Sequence, residues 1–146
     1  MRELLFRGFH PCDGPDTIVV DGKQVKGRWV EGSLLTYKDG TTFVCCEDYI
    51  PDVLNKYEVL PSTVGQYTGL TDKNGKRIFE GDILKTNKYG KDDGKGHNFA
   101  GPDAFCVAFE DGGYCLRNEW RRFNLRPDID AEVIGTIFDE EAQHDN

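Results

Sequence analysis

Four arginines, Arg117, Arg121, Arg122 and Arg126, stand within ten residues of one another, interleaved with Trp120 and Phe123. Guanidinium groups next to aromatic rings are what base stacking and phosphate contact require. Alternatively, Trp120 and Phe123 belong to the core and the arginines pair with carboxylates, of which the chain has an excess. Lys91 and Lys95 add two cations in a stretch with no apolar period. Together Arg117, Trp120, Arg121, Arg122, Arg126, Lys91 and Lys95 are the candidate partner-binding residues.

Other chemistry-bearing patterns fail on spacing. Gly90 to Gly96 lacks one residue of a phosphate-cradling loop and has Gly96 where a hydroxyl must follow the lysine. Gly94-Lys95-Gly96 ends at Phe99, outside a dinucleotide fingerprint. Asp72-Lys73-Asn74-Gly75 begins like a calcium loop, but its glycine comes early and Ile83 stands where a bidentate Glu is needed. His10, Cys12, Cys45 and Cys46 form no spaced ligand pairs of the zinc type. Ser33 and Ser62 lie in no nucleophile elbow. Asp92-Asp93 and Glu140-Glu141 are adjacent carboxylates in polar segments, not a desolvated acid facing a base. No catalytic residue, metal or cofactor is therefore assigned.

Twenty-six acidic against eighteen basic side chains give a net charge of −8, which repels a phosphate backbone unless a local basic patch prevails. Nucleic acid is thus the less favoured partner. Five cysteines cannot all pair within the chain, and the start Met1 to Phe9 lacks the features of a secretory signal, so reduced thiols in the cytoplasm are expected. No apolar run is long enough for a membrane span.

The elements that must carry these residues read as β. Six glycines directly follow Asp or Asn, at Gly14, Gly22, Gly40, Gly75, Gly94 and Gly112, and such pairs close tight hairpins. Strands are expected at 17–20, 23–26, 28–37, 41–46, 63–68, 77–85 with a break at Gly81, 105–109, 114–116 and 131–138. In the second strand region Trp29 and Leu35 share one parity and Val30 and Leu34 the other, which requires burial on both faces or a bulge at Gly32. Residues 47–56 have weak helical character, shortened by Pro51. Leu116, Trp120 and Phe123 at i, i+4 and i+7 predict a short helix. A mobile loop is expected at 86–104 and a frayed acidic tail at 139–146.

The run from Val64 to Lys85, which contains Gln66-Tyr67-Thr68-Gly69-Leu70-Thr71-Asp72 and Arg77-Ile78-Phe79-Glu80-Gly81-Asp82-Ile83-Leu84, closely resembles the signature of the YopX family of bacteriophage and prophage proteins. Met1 to Arg7, Gly27 to Gly32 and Val133 to Phe138 resemble the family's other recurring pieces in the same order. The resemblance implies a phage accessory protein in the cytoplasm of a bacterial host, and brings no catalytic residues with it. Its partner would be a host or phage protein, with a second copy of the chain also admitted.

Physically the signature describes architecture: a strand, a turn, then a second strand bent at Gly81. The fold expected is mainly β with little helix, antiparallel hairpins forming a small SH3-like barrel in the C-terminal half beside an N-terminal β subdomain. Residues 1–146 are taken as one YopX-like unit, or as subdomains at 1–60 and 61–138. A non-enzymatic protein-binding module is the leading function, a nucleic-acid binder using Arg117 to Arg126 the alternative, and an enzyme without a recognisable motif the third.

Overall fold

A computed structural model describes residues 4–47, 54–86, 104–119, 121–127 and 130–139. These residues form β1 (Phe6–Val20), β2 (Lys23–Thr36), β3 (Thr42–Glu47), β4 (Leu54–Val59), β5 (Gly65–Thr71), β6 (Arg77–Phe79), β7 (Asp82–Lys85), β8 (Ala104–Glu110), β9 (Gly113–Arg117), β10 (Arg122–Asn124) and β11 (Glu132–Thr136). The helical content among them is one 3-10 turn, Pro61–Thr63. Two antiparallel sheets result, one in the order β4-β3-β2-β1-β5-β6 and one in the order β10-β9-β8-β7-β11. No helix here is long and apolar enough to cross a membrane. The chain divides into two compact units, residues 1–67 with 138–146, and residues 68–137.

In the first unit β1 pairs with β2 from Phe6 opposite Gly32 to Val20 opposite Lys23, and a two-residue turn joins them in which Asp21 and Gly22 both take positive φ, 52° and 77°. That is the geometry an Asp-Gly pair favours. The two predicted strands at 23–26 and 28–37 are one continuous strand. The register slips once: Gly27 faces both Pro11 and Asp16, so Cys12 to Pro15 bulge out of β1. A side chain at Gly27 would run into the His10 carbonyl and the Phe9 ring, so the close approach requires glycine. The bulge also puts Phe9 and Ile18 on the same face although they are an odd number of residues apart, and both are fully buried. Val30, Val44 and Val59 form a second cluster with Tyr57 and Val64. Phe9 fixes the 3-10 turn, its carbonyl accepting from the Leu60 N–H and its own N–H donating to Thr63 Oγ1. Of the expected helix at 47–56, residues 48–53 lie outside the described residues and 54–56 open strand β4.

The second unit is built on a core of Ile78, Leu84, Phe105, Val107, Leu116 and Ala131, with Leu70, Phe123, Leu125 and Val133 against it. In the signature segment Tyr67, Ile78, Phe79 and Leu84 are buried, while Leu70 and Ile83 are half-buried. Gly81 takes a φ of 93°, and the Asp82 carboxylate after it accepts the Phe79 N–H at 2.7 Å, which closes the β6–β7 corner.

Two expectations need correction. The sheets do not close into a barrel among the described residues. β10 is three residues long and pairs with β9, and the next N–H, that of Leu125, turns back to the Tyr114 carbonyl. On β11 the Val133 N–H is taken by the Asp72 carboxylate and the Ala131 carbonyl by the Lys73 N–H, so neither is left for β10. The predicted helix at 116–123 is a hairpin instead: Leu116 and Phe123 are cross-strand partners of β9 and β10, with Asn118 to Arg121 between them. Of the expected mobile loop, residues 87–103 lie outside the described residues; Thr86 is buried and Ala104 already pairs with Lys85. The tail from residue 140 also lies outside.

Candidate functional site

Strand register brings Arg117 and Arg122 directly opposite each other on β9 and β10. Two like charges in that position repel unless a counter-charge joins them. Glu110 at the end of β8 supplies it: one carboxylate oxygen pairs with Arg117 Nη1, and the other lies 3.0 Å from Arg122 Nε. Asp111 adds a 3.5 Å contact to Arg122 Nη2. Hydrogen bonds from Arg117 and then Arg122 hold the Glu110 carboxyl below its ordinary pKa, and the same bonds raise both guanidinium groups. The fully buried Cys115 lies beneath, its Sγ 3.7 Å from Glu110 Oε2.

Of the other candidates, Arg121 and Arg126 lie among the described residues. Arg121 places its guanidinium carbon 5.9 Å from the Phe105 ring and 5.8 Å from the Phe123 ring, a cation–π arrangement. Its backbone is fixed by Asn118, whose side-chain oxygen accepts the Arg121 N–H at 2.9 Å. Arg126 is exposed after β10. Trp120, Lys91 and Lys95 lie outside the described residues. Phe109 belongs to the same hairpin and was not singled out from the sequence; its ring is 52% exposed and meets Tyr114 edge-on at 5.1 Å.

Of the residues weighed as metal ligands, His10 has other partners. His10 Nδ1 is 2.7 Å from the Glu58 carbonyl, and its ring meets Tyr57, which Arg28 covers from 4.6 Å. Cys12 is exposed in the β1 bulge, and Cys45 and Cys46 are half-buried on β3. Among the described residues no group of three or more His, Cys, Asp or Glu is placed to hold a metal ion. Burial pushes the Cys106 thiol up, against the reactive direction.

Sequence reasoning also missed the part played by Asp72. The residue is buried, and one carboxylate oxygen accepts the N–H groups of Asn74 at 2.8 Å and Lys76 at 2.9 Å while the other accepts Val133 N–H at 2.9 Å. Burial by itself raises this carboxyl, but the three N–H donors and the Lys76 charge outweigh it and leave the pKa below its ordinary value. Asp72 thereby fastens the β5–β6 turn to β11. Next to this fastening is a cleft of about 270 Å³ lined by Lys73, Lys85, Thr86, Asp130 and Glu132. The signal available in the sequence was Asp followed by Asn two residues later and then Gly, the pattern of a side-chain-capped turn.

No curated protein matches the chain. A crystal structure of protein EF1440 from Enterococcus faecalis is similar over 94% of this chain and 96% of its own, at 19% identity and a TM-score of 0.46. The family model described as YopX protein matches residues 19–142. That span takes in the signature, the Asp72 turn and the arginine-bearing hairpin, and on this match the chain belongs to the YopX family.

Proposed function

We infer that this YopX-family chain is a phage-type accessory protein of the host cytoplasm that acts by binding another protein, through the outer hairpins of its five-stranded sheet. The observation that carries this is the exposed Phe109 on Tyr114, next in the chain to Glu110 of the Arg117–Glu110–Arg122 network and on the same hairpins as the Arg121 stack. Aromatic side chains and arginines are enriched where protein interfaces hold most of their binding energy. Charge favours protein over nucleic acid, because Arg117 and Arg122 already face Glu110 and Asp111 and the whole chain is at −8. Arg126, Trp120, Lys91 and Lys95 remain candidates.

The strand order supports an SH3-like ancestry for the sheet. Read from β11, it runs last, first, second, third, fourth, the succession of a small five-stranded barrel opened between its final two strands. Such scaffolds carry many binding functions on their loops and edges.

The test is a pulldown from host lysate with the native chain and a Phe109→Asp, Arg121→Ala variant that keeps its thermal midpoint. A protein retained in stoichiometric amount by the native chain and lost with the variant is expected. Equal retention by both, or a DNA or RNA shift at low salt that the variant abolishes, overturns the proposal.

A further inference from the structure

We propose that the cleft between the Asp72 turn, the end of β7 and the start of β11 is a binding site for a small zwitterion, a ligand carrying one carboxylate and one ammonium group such as a dipeptide. Three structural segments meet there, each tied to the next by a buried link. Asp72 accepts the Val133 N–H, Lys73 N–H donates to the Ala131 carbonyl at 3.0 Å, and Thr86 Oγ1 donates to the Asp130 carbonyl at 2.8 Å. Asp72, Thr86 and Ala131 are all buried, so the frame is held from beneath while the groups lining the cleft stay open to solvent.

Four of the lining residues are charged, Lys73 and Lys85 bearing ammoniums and Asp130 and Glu132 carboxylates, and all four are exposed. Lys85 and Glu132 face each other across β7 and β11 and can satisfy one another. Lys73 on the turn and Asp130 before β11 are on separate segments and have no such cross-strand register. A ligand with opposite charges at its two ends answers both, the carboxylate toward Lys73 and the ammonium toward Asp130. The volume of about 270 Å³ lies just below the ~300 Å³ lower end of ordinary small-ligand pockets, room for a ligand of dipeptide size. A frame fixed before binding lowers the ordering cost of capture.

The experiment is a two-dimensional amide NMR titration of the full chain with diglycine, sodium acetate and glycinamide in parallel. Diglycine should move the amides of Lys73, Thr86 and Glu132 along saturable curves at millimolar concentration, and acetate and glycinamide should act at least about tenfold more weakly. Lys73→Met and Asp130→Asn, both exposed changes with no expected loss of fold, should each reduce the diglycine response about tenfold or more. No saturable shift up to roughly 10 mM diglycine overturns the proposal. So does an equal response to acetate, which would mark a plain anion site, or a diglycine response unchanged in both variants.

Discussion

Two turns of the second unit have the same type of dipeptide at their tips, Asn74-Gly75 and Asp111-Gly112, yet they are held in different ways. At the β8–β9 tip both residues take positive φ, 52° and 82°, and the backbone alone makes the turn. At the β5–β6 tip Gly75 alone does so, at 82°, and the turn is held by the buried Asp72 carboxylate, which also reaches across to β11. An Asx-Gly pair therefore marks where a chain turns without saying how strongly the turn is fastened. The first turn ends a hairpin; the second ties β5 and β6, at the margin of one sheet, to β11, the edge strand of the other.

The sharpest way to break this contrast is to remove the carboxylate. Asp72→Ala leaves three N–H groups without their charged acceptor and should cost about 3 to 5 kcal/mol, measured by chemical denaturation. An unchanged denaturation midpoint would show that the turn does not depend on it. The ionic share of that effect has a defined pH window. Because the folded carboxyl titrates below its unfolded value, its contribution is complete above about pH 4 and is lost as pH falls through the folded pKa. The gap in thermal midpoint between the native chain and Asp72→Asn should accordingly narrow below about pH 4; a gap that stays constant from neutral to strongly acidic pH contradicts this.

Gly75→Val and Gly112→Val sharpen the comparison from the other side. Both glycines sit at φ 82° with open space around the missing side chain, so each change should cost about 1 to 3 kcal/mol from backbone strain alone. A cost at one site several times that at the other would mean the two backbones are less alike than their angles. Smallest of all is Asp111→Gly, which relieves a positive φ on an exposed residue and should move stability by no more than about 0.5 kcal/mol.

Much of the architecture was legible in the sequence because hairpin signals are local. Asp21-Gly22 and Asp111-Gly112 have the φ values their composition favours, and the strands around Asp111-Gly112 fall where alternation placed them, whereas β1 begins eleven residues before the expected start at Thr17. The failure at Leu116 and Phe123 comes from the same locality. A separation of seven residues puts two side chains on one helix face, but it equally pairs them across a hairpin with a four-residue connection, and spacing does not distinguish the two. The arginine cluster was visible as a composition, whereas its counter-charges were not. Glu110 and Asp111 reach Arg117 and Arg122 only through the register of β8 on β9 and of β9 on β10. The cleft was less legible still, since its lining comes from three separated segments whose meeting depends on Asp72 and Thr86.

The excursion of Cys12 to Pro15 from β1 makes this strand a natural place to lengthen the chain. Pairing is complete on both sides of it, with Phe6 to Pro11 set against β2 in one register and Asp16 to Val20 in another, and Gly27 serving both. Extra residues placed between Cys12 and Asp13 would extend a segment that already stands outside the ladder, so neither register need shift. Doubling the excursion to eight residues should cost only about 0.6 kcal/mol of loop entropy. One residue added at Phe9 would instead turn every following side chain of the strand to the opposite face. The bulge thus separates the length of β1 from its pattern, and a peptide tag or reporter grafted there would leave the buried pair Phe9 and Ile18 in place.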